Sequence, residues 1–140
     1  MRRLVFASAC AAVSALTVHA AAQGASARLA YDAANLALNG GEGYQTADNK
    51  TGTLAWGEAY IMMSYAAMYR ATNDAAYLVN LASHARSVLD YRDSVLGWKE
   101  YAGNSRPCWQ STKYSDNQEP VCWVVHSGMI TYPMADLARI

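Results

Sequence analysis

The chain has 140 residues, of which 53% are hydrophobic and only 16% charged. That is too apolar for a disordered segment, and eleven Lys+Arg against eleven Asp+Glu give a net charge of zero, which argues against a nucleic-acid partner. Ten Tyr and four Trp against one Phe favour a wet aromatic surface over a dry core, because Tyr and Trp carry polar handles.

Arg2 and Arg3, the apolar run from Leu4 to Val18 and the small residues Ala20, Ala21 and Ala22 have the pattern of a secretory signal peptide over residues 1–22. The run is short for a membrane span and no second one follows, so the expectation is a secreted or periplasmic protein without a stable membrane anchor. Cys10 follows too short an apolar run for a lipoprotein site. Cleavage after Ala22 removes Cys10 and leaves Cys108 and Cys122, which in an exported chain are expected to pair. Two reduced core thiols are the alternative. With no CxxC and only His126 nearby, no metal site is expected, and no other cofactor is called for.

Residues 23–140 read as helices joined by one long loop. Ser26 to Asn39 carries Leu29, Ala33, Leu36 and Ala37 at helical spacing, and Gly40, Gly41 and Gly43 end the pattern. Residues 44–52 read as a polar loop. Leu54 to Arg70 is apolar almost all round, with Glu58 and Ser64 the polar exceptions, as in a helix buried on most sides. Thr72, Asn73 and Asp74 make a tight turn with Asp74 as N-cap. Ala75 to Arg92 is amphipathic, with Tyr77, Leu78, Leu81, Ala85 and Val88 on one side, so the pair forms an αα-hairpin. The segment from Gly97 to Pro120 is too long and too aromatic for a plain connector, and short strands around Glu100 and Lys113 are compatible with it. Ser127 to Ile140 reads as a helix with Pro133 at a kink or in its first turn. The run Trp56 to Met62 echoes Val124 to Ile130, setting Glu58 and His126 at matching places, as two stacked hairpins would. One full hairpin and half of another leave apolar faces uncovered, so the expectation is a domain truncated at its C-terminus.

The run Leu54-Ala55-Trp56-Gly57-Glu58-Ala59-Tyr60, followed by Met68-Tyr69-Arg70-Ala71-Thr72, Asp74 and Tyr77-Leu78, resembles the first hairpin of α/α-toroid, six-hairpin-type carbohydrate-active proteins. His126-Ser127-Gly128-Met129-Ile130-Thr131-Tyr132-Pro133 resembles the start of a following inner helix. The resemblance spans roughly residues 27–140. It implies an all-α incomplete toroid of antiparallel hairpins, with a glycan substrate or ligand bound where inner-helix ends meet loops, and hydrolase- or lyase-type chemistry in the complete domain. The alternative is a non-catalytic helical-repeat module that binds glycan or peptide.

Glu58, alone in its apolar helix, is a candidate acid, base or sugar-binding carboxylate, or else a helix-start stabiliser. Asp116, in the aromatic loop, is the second carboxylate that glycoside hydrolysis needs. His126 and Tyr132 suit proton abstraction beside a uronate carboxyl, with Arg106 as the cation that neutralises the acid. Trp98, Trp109 and Tyr114, with Tyr101, are expected to stack on sugar rings or to staple the loop. His84, between polar neighbours, reads as a surface residue. Glu58→Gln is therefore expected to weaken glycan handling with little loss of stability, and His84→Ala to do neither. Gly40-Gly41-Glu42-Gly43 lacks the Lys of a phosphate loop, Ser127 lacks a nucleophile elbow, and there is no HExxH.

Overall fold

The computed structural model describes residues 23–140. The expected leader, residues 1–22, lies outside them. The chain divides after Leu38 into two units. In the first, α1 covers residues 23–37 and carries an Arg28–Asp32 ion pair one turn apart at 3.6 Å. Leu29 and Leu36, on its apolar rhythm, are exposed.

The second unit holds a 3-10 turn at Asn39–Gly41, α2 at Ala59–Thr72, α3 at Ala76–Asp90, the single turn α4 at Asp93–Leu96, and α5 at Val124–Leu137. A π turn at Leu54–Glu58 leads into α2, with the Ala59 N–H reaching back five residues to the Leu54 carbonyl. The described residues are all-α. Their one β-type pairing is an isolated antiparallel bridge between Ser111 and Val121, so the short strands expected around Glu100 and Lys113 do not form. Among them, no helix is long and apolar enough to cross a membrane.

Two local devices turn the chain from α2 into α3. Asn73 takes a left-handed φ of 56° and donates its N–H to the Tyr69 carbonyl at 2.7 Å. Asp74 then accepts the Ala76 N–H at 2.9 Å, the capping bond its sequence position predicts. Returning along α2, α3 buries Tyr77, Leu81, His84, Ala85 and Val88, a stripe at helical spacing. On α2 the buried stripe is Glu58, Ala59, Met62, Tyr65 and Ala66. The expectation of burial on most sides is corrected here, because Trp56 and Tyr60 are exposed. Helix α5 contributes His126, Ile130 and Pro133. Leu54, Met62, Leu81 and Ile130 have no exposed surface, and each burial is worth about 1.5–3 kcal/mol.

Helices α2 and α5 run in the same direction. At their openings Trp56 meets His126, and towards their ends Arg70 grips Asp136 through two bonds of 2.7 and 2.9 Å. Pro133 lies inside α5 and removes one helical hydrogen bond there.

The long loop is tied down at both ends of its fold. A disulfide joins Cys108 to Cys122 across a Cα–Cα distance of 6.0 Å. The Trp109 indole donates to the Val88 carbonyl at 2.9 Å, fixing the loop to α3. Lys50 offers its carbonyl to the N–H groups of Thr112 and Lys113 at 3.0 and 3.2 Å, which brings the loop against the segment that precedes α2.

Candidate functional site: an aromatic cleft at the head of α2

Two residues apart on the π turn, Trp56 and Glu58 face different surroundings. Trp56 is 40% exposed; Glu58 is wholly buried. Around Trp56 lies a cavity of about 350 Å³, lined by Tyr44, Thr51, Thr53, Lys113 and Tyr114 along with two glycines. Tyr44 and Tyr114 are 41% and 46% exposed, so three amphipathic rings offer open faces to one space. Single apolar residues on a surface carry little meaning, whereas three aromatic rings converging on a concavity fit a ligand site. Gly57 is required there, because a Cβ would stand 2.8 Å from the Tyr44 ring.

His126 holds the cleft walls from behind. It is 1% exposed, and the rings of Trp56 and Tyr114 meet it edge-on at centroid distances of 5.5 and 5.4 Å. Asn49 fixes its tautomer. The Asn49 side-chain oxygen accepts the Ala55 N–H at 3.2 Å, and its amide nitrogen donates to the Trp109 carbonyl at 2.9 Å. That amide nitrogen also faces His126 Nδ1 at 3.2 Å. Nδ1 must therefore be the acceptor, leaving the proton on Nε2. Burial holds this imidazole below its ordinary value, in keeping with a neutral ring.

Glu58 lies behind the cleft in a different environment. Its Oε1 accepts a hydrogen bond from His84 Nδ1 at 2.6 Å, and its Oε2 accepts the Tyr44 N–H at 2.7 Å. The other ring nitrogen of His84 stands 3.4 Å from the Tyr65 hydroxyl, which itself donates to the Gly41 carbonyl at 3.3 Å. Gly43, with a φ of +53°, lets the loop close on this group, since a Cβ would lie 2.8 Å from Glu58 Oε2. His84 is therefore a buried partner of Glu58, 4% exposed, which corrects the expectation of a surface residue. It falls on the apolar stripe between Leu81 and Val88, and that spacing was the available signal.

No protein-family model, no curated protein and no solved structure matches this chain.

Of the residues singled out in the sequence, His126 and Tyr114 come together, with Trp56. Glu58 does not join them, and neither does Arg106, which is exposed beside Glu100 at 3.7 Å. Asp116 is exposed on the loop, apart from the buried Glu58, so the two carboxylates do not flank a common space. Tyr132 is exposed on α5 near Arg70 and Asp136, towards the other end of the helix from His126. Trp109 is 2% exposed and bonded to α3, which closes its faces to ligand and makes it a staple of the loop. Trp98 is half-buried with the Lys50 ammonium 5.2 Å from its ring centre.

Two buried acids escaped the sequence reading, Asp93 and Glu100. Asp93, 1% exposed, accepts the Gln110 N–H at 3.1 Å and has the sulfurs of Cys108 and Cys122 at 3.3 and 3.6 Å from the same oxygen. Burial pushes its carboxyl up to about 6. Among the described residues this is the one cluster with metal-ligand spacing, and in the disulfide neither sulfur is a thiolate.

Proposed function

We propose that this protein is an exported carbohydrate-handling domain of the α/α-toroid kind, and that it binds a glycan in the cleft of Tyr44, Trp56 and Tyr114. The single observation that carries the reading is the convergence of three half-open aromatic rings, two threonine hydroxyls and one ammonium on a cavity of about 350 Å³. A sugar ring has apolar C–H faces and a polar rim. Flat aromatic walls with hydroxyls beside them satisfy both.

The common direction of α2 and α5, with α3 returning between them in sequence, supports the toroid reading, in which inner helices run alike and ligand meets their ends and loops. The disulfide is in keeping with export. Binding is favoured over hydrolysis for the described residues. Both oxygens of Glu58 are engaged, and no carboxylate lines the cavity, whereas glycoside hydrolysis usually draws on two.

The test is titration of the full-length exported protein with a panel of oligosaccharides, read by tryptophan fluorescence and calorimetry. Trp56→Ala is expected to weaken binding at least about tenfold while leaving the melting temperature within a few degrees. Binding that survives loss of Trp56 would place the ligand elsewhere and end this assignment.

A further inference from the structure

We propose that the Cys108–Cys122 disulfide exchanges with an external dithiol, and that Asp93 is the acid that gives its proton to the departing Cys108 sulfur. This activity is independent of glycan binding in the aromatic cleft.

Asp93 is 1% exposed, yet among the described residues no cation pairs with it. Arg92, its neighbour in sequence, turns its guanidinium back to the Leu89 carbonyl at 2.8 Å. The carboxyl meets the Gln110 N–H, 3.3 and 3.1 Å from its two oxygens, and the sulfurs of Cys108 and Cys122, 3.3 and 3.6 Å from Oδ2. The Trp98 N–H and the Ser105 hydroxyl go to the Asp93 main-chain carbonyl instead. An asparagine would serve the Gln110 N–H as well, without the cost of burying an ionisable group. What the acid adds is a proton. Burial raises its carboxyl to about 6, so it keeps an O–H where exposed carboxyls have lost theirs. A disulfide sulfur bears no hydrogen, so a hydrogen shared between Oδ2 and the sulfurs comes from the carboxyl.

The two sulfurs are unequal. Cys108 is 7% exposed and Cys122 is half-buried, so an incoming thiolate reaches Cys122. Its electron pair forms the new S–S bond to Cys122, the bond between the cysteines breaks, and that pair leaves on Cys108. Asp93 transfers its proton to the Cys108 sulfur and becomes a carboxylate, which spares the buried site a thiolate. The second thiol of the dithiol, once deprotonated, attacks its own partner sulfur in the mixed disulfide. It closes a cyclic disulfide and releases Cys122, which takes up a proton. Two electrons have then passed from the dithiol to the cysteine pair, and Asp93 regains a proton from solvent.

The fold holds the reduced cysteines for the return reaction. Just inside the disulfide, Ser111 and Val121 exchange both backbone hydrogen bonds, at 3.0 and 3.1 Å. The Trp109 indole also stays on the Val88 carbonyl. With a cyclic disulfide as oxidant the steps run backwards, and the Asp93 carboxylate takes the Cys108 proton.

The experiment follows reduction of the full-length oxidised protein by dithiothreitol in native buffer, with rates divided by the thiolate fraction of the reductant. The rate per thiolate is expected to fall at least about tenfold as pH rises through about 6, the signature of a lost general acid. Asp93→Asn is expected to start lower and to show no such fall. Acid-trapped mixed disulfide formed with glutathione is expected on Cys122 by peptide mass spectrometry. A parent profile without the fall overturns the proton role of Asp93, whether or not the variant folds. Glutathione found on Cys108 overturns the direction of attack. Reduction that proceeds only after urea unfolds the chain overturns the exchange activity and leaves the disulfide a staple.

Discussion

The two buried histidines of this protein occupy opposite sides of the entry to α2, and they do different work. His84 meets an acid, and with Glu58, Tyr65 and the Tyr44 N–H it clamps the loop after Asn39 onto α2 and α3. His126 meets an amide and two aromatic edges, has no acid beside it, and serves as the platform for the cleft. A carboxylate turns a buried imidazole into half of a polar lock. Without one, burial keeps the ring neutral and makes it a flat packing surface. The same residue type thus yields a polar lock on one side and a buried backing for two aromatic cleft walls on the other.

The sharpest way to break this contrast is at Glu58. Glu58→Ala leaves the His84 ring and the Tyr44 N–H buried without their acceptor, and each unsatisfied buried donor costs about 1–3 kcal/mol. Urea denaturation is expected to show that loss. A variant that kept its stability and lost only glycan binding would reverse the roles assigned to the two sides, restoring the expectation drawn from the sequence.

Next in size is the disulfide. With a sequence separation of 14, chain-entropy reasoning gives about 3 kcal/mol for the Cys108–Cys122 link. Replacing both cysteines by serine is expected to lower the melting temperature and also to weaken binding, because Tyr114 lies within the closed loop. Thiol titration of the unfolded, unreduced protein should find neither of these two cysteines free. If the double variant bound as well as the parent, the cleft wall would owe its position to the Lys50 and Trp109 contacts alone.

The smallest effects are in pH, and the two groups that carry them pull in opposite directions. The Asp93 carboxyl is raised from 3.8 to about 6, so the folded state holds its proton more tightly. Its contribution to stability is full below about pH 3.8 and is lost as pH rises through about 6, an effect on the order of 2 kcal/mol. Asp93→Asn is expected to flatten the melting temperature over that interval. His126 is lowered from 6.5, so its contribution is present above that pH and is lost as pH falls. Melting curves between pH 4 and 8 separate the two. A slope unchanged by Asp93→Asn would show that the Asp93 carboxyl titrates alike in folded and unfolded chains.

The helices of the second unit were legible because their signals are local. Periodicity placed α2 and α3, Asp74 marked the cap, and two cysteines behind an expected export leader announced their bond. The aromatic content pointed to a surface and Tyr114 to its place in the cleft. What failed was everything that depends on partners distant in sequence. His84 was hidden by polar neighbours and by the absence of any hint that Glu58 would meet it. Asp93 carried no sequence signal, because its partners Gln110 and Cys108 lie in a loop 15 and more residues further on. Trp109 and Trp98 are the same residue type in the same loop, and only the carbonyl of Val88 separates a staple from a half-open ring. Tyr44 and Lys113 belong to segments that a sequence reads as unrelated; the Lys50 carbonyl joins them.

The π turn that opens α2 has a consequence for how this protein can change. It carries one residue more than an α-helical turn, and each residue of α-helix turns the chain by about 100°. Deletion of Gly57 would set Trp56 one residue from Glu58 instead of two and so change the angle between their side chains. Substitutions on either side can accumulate separately, but insertions and deletions here cannot, because one step of register changes the cleft wall and the lock together. The spacing between Trp56 and Glu58 is thus expected to be inherited as a unit, and relatives that keep both the cleft and the lock should show it without gaps.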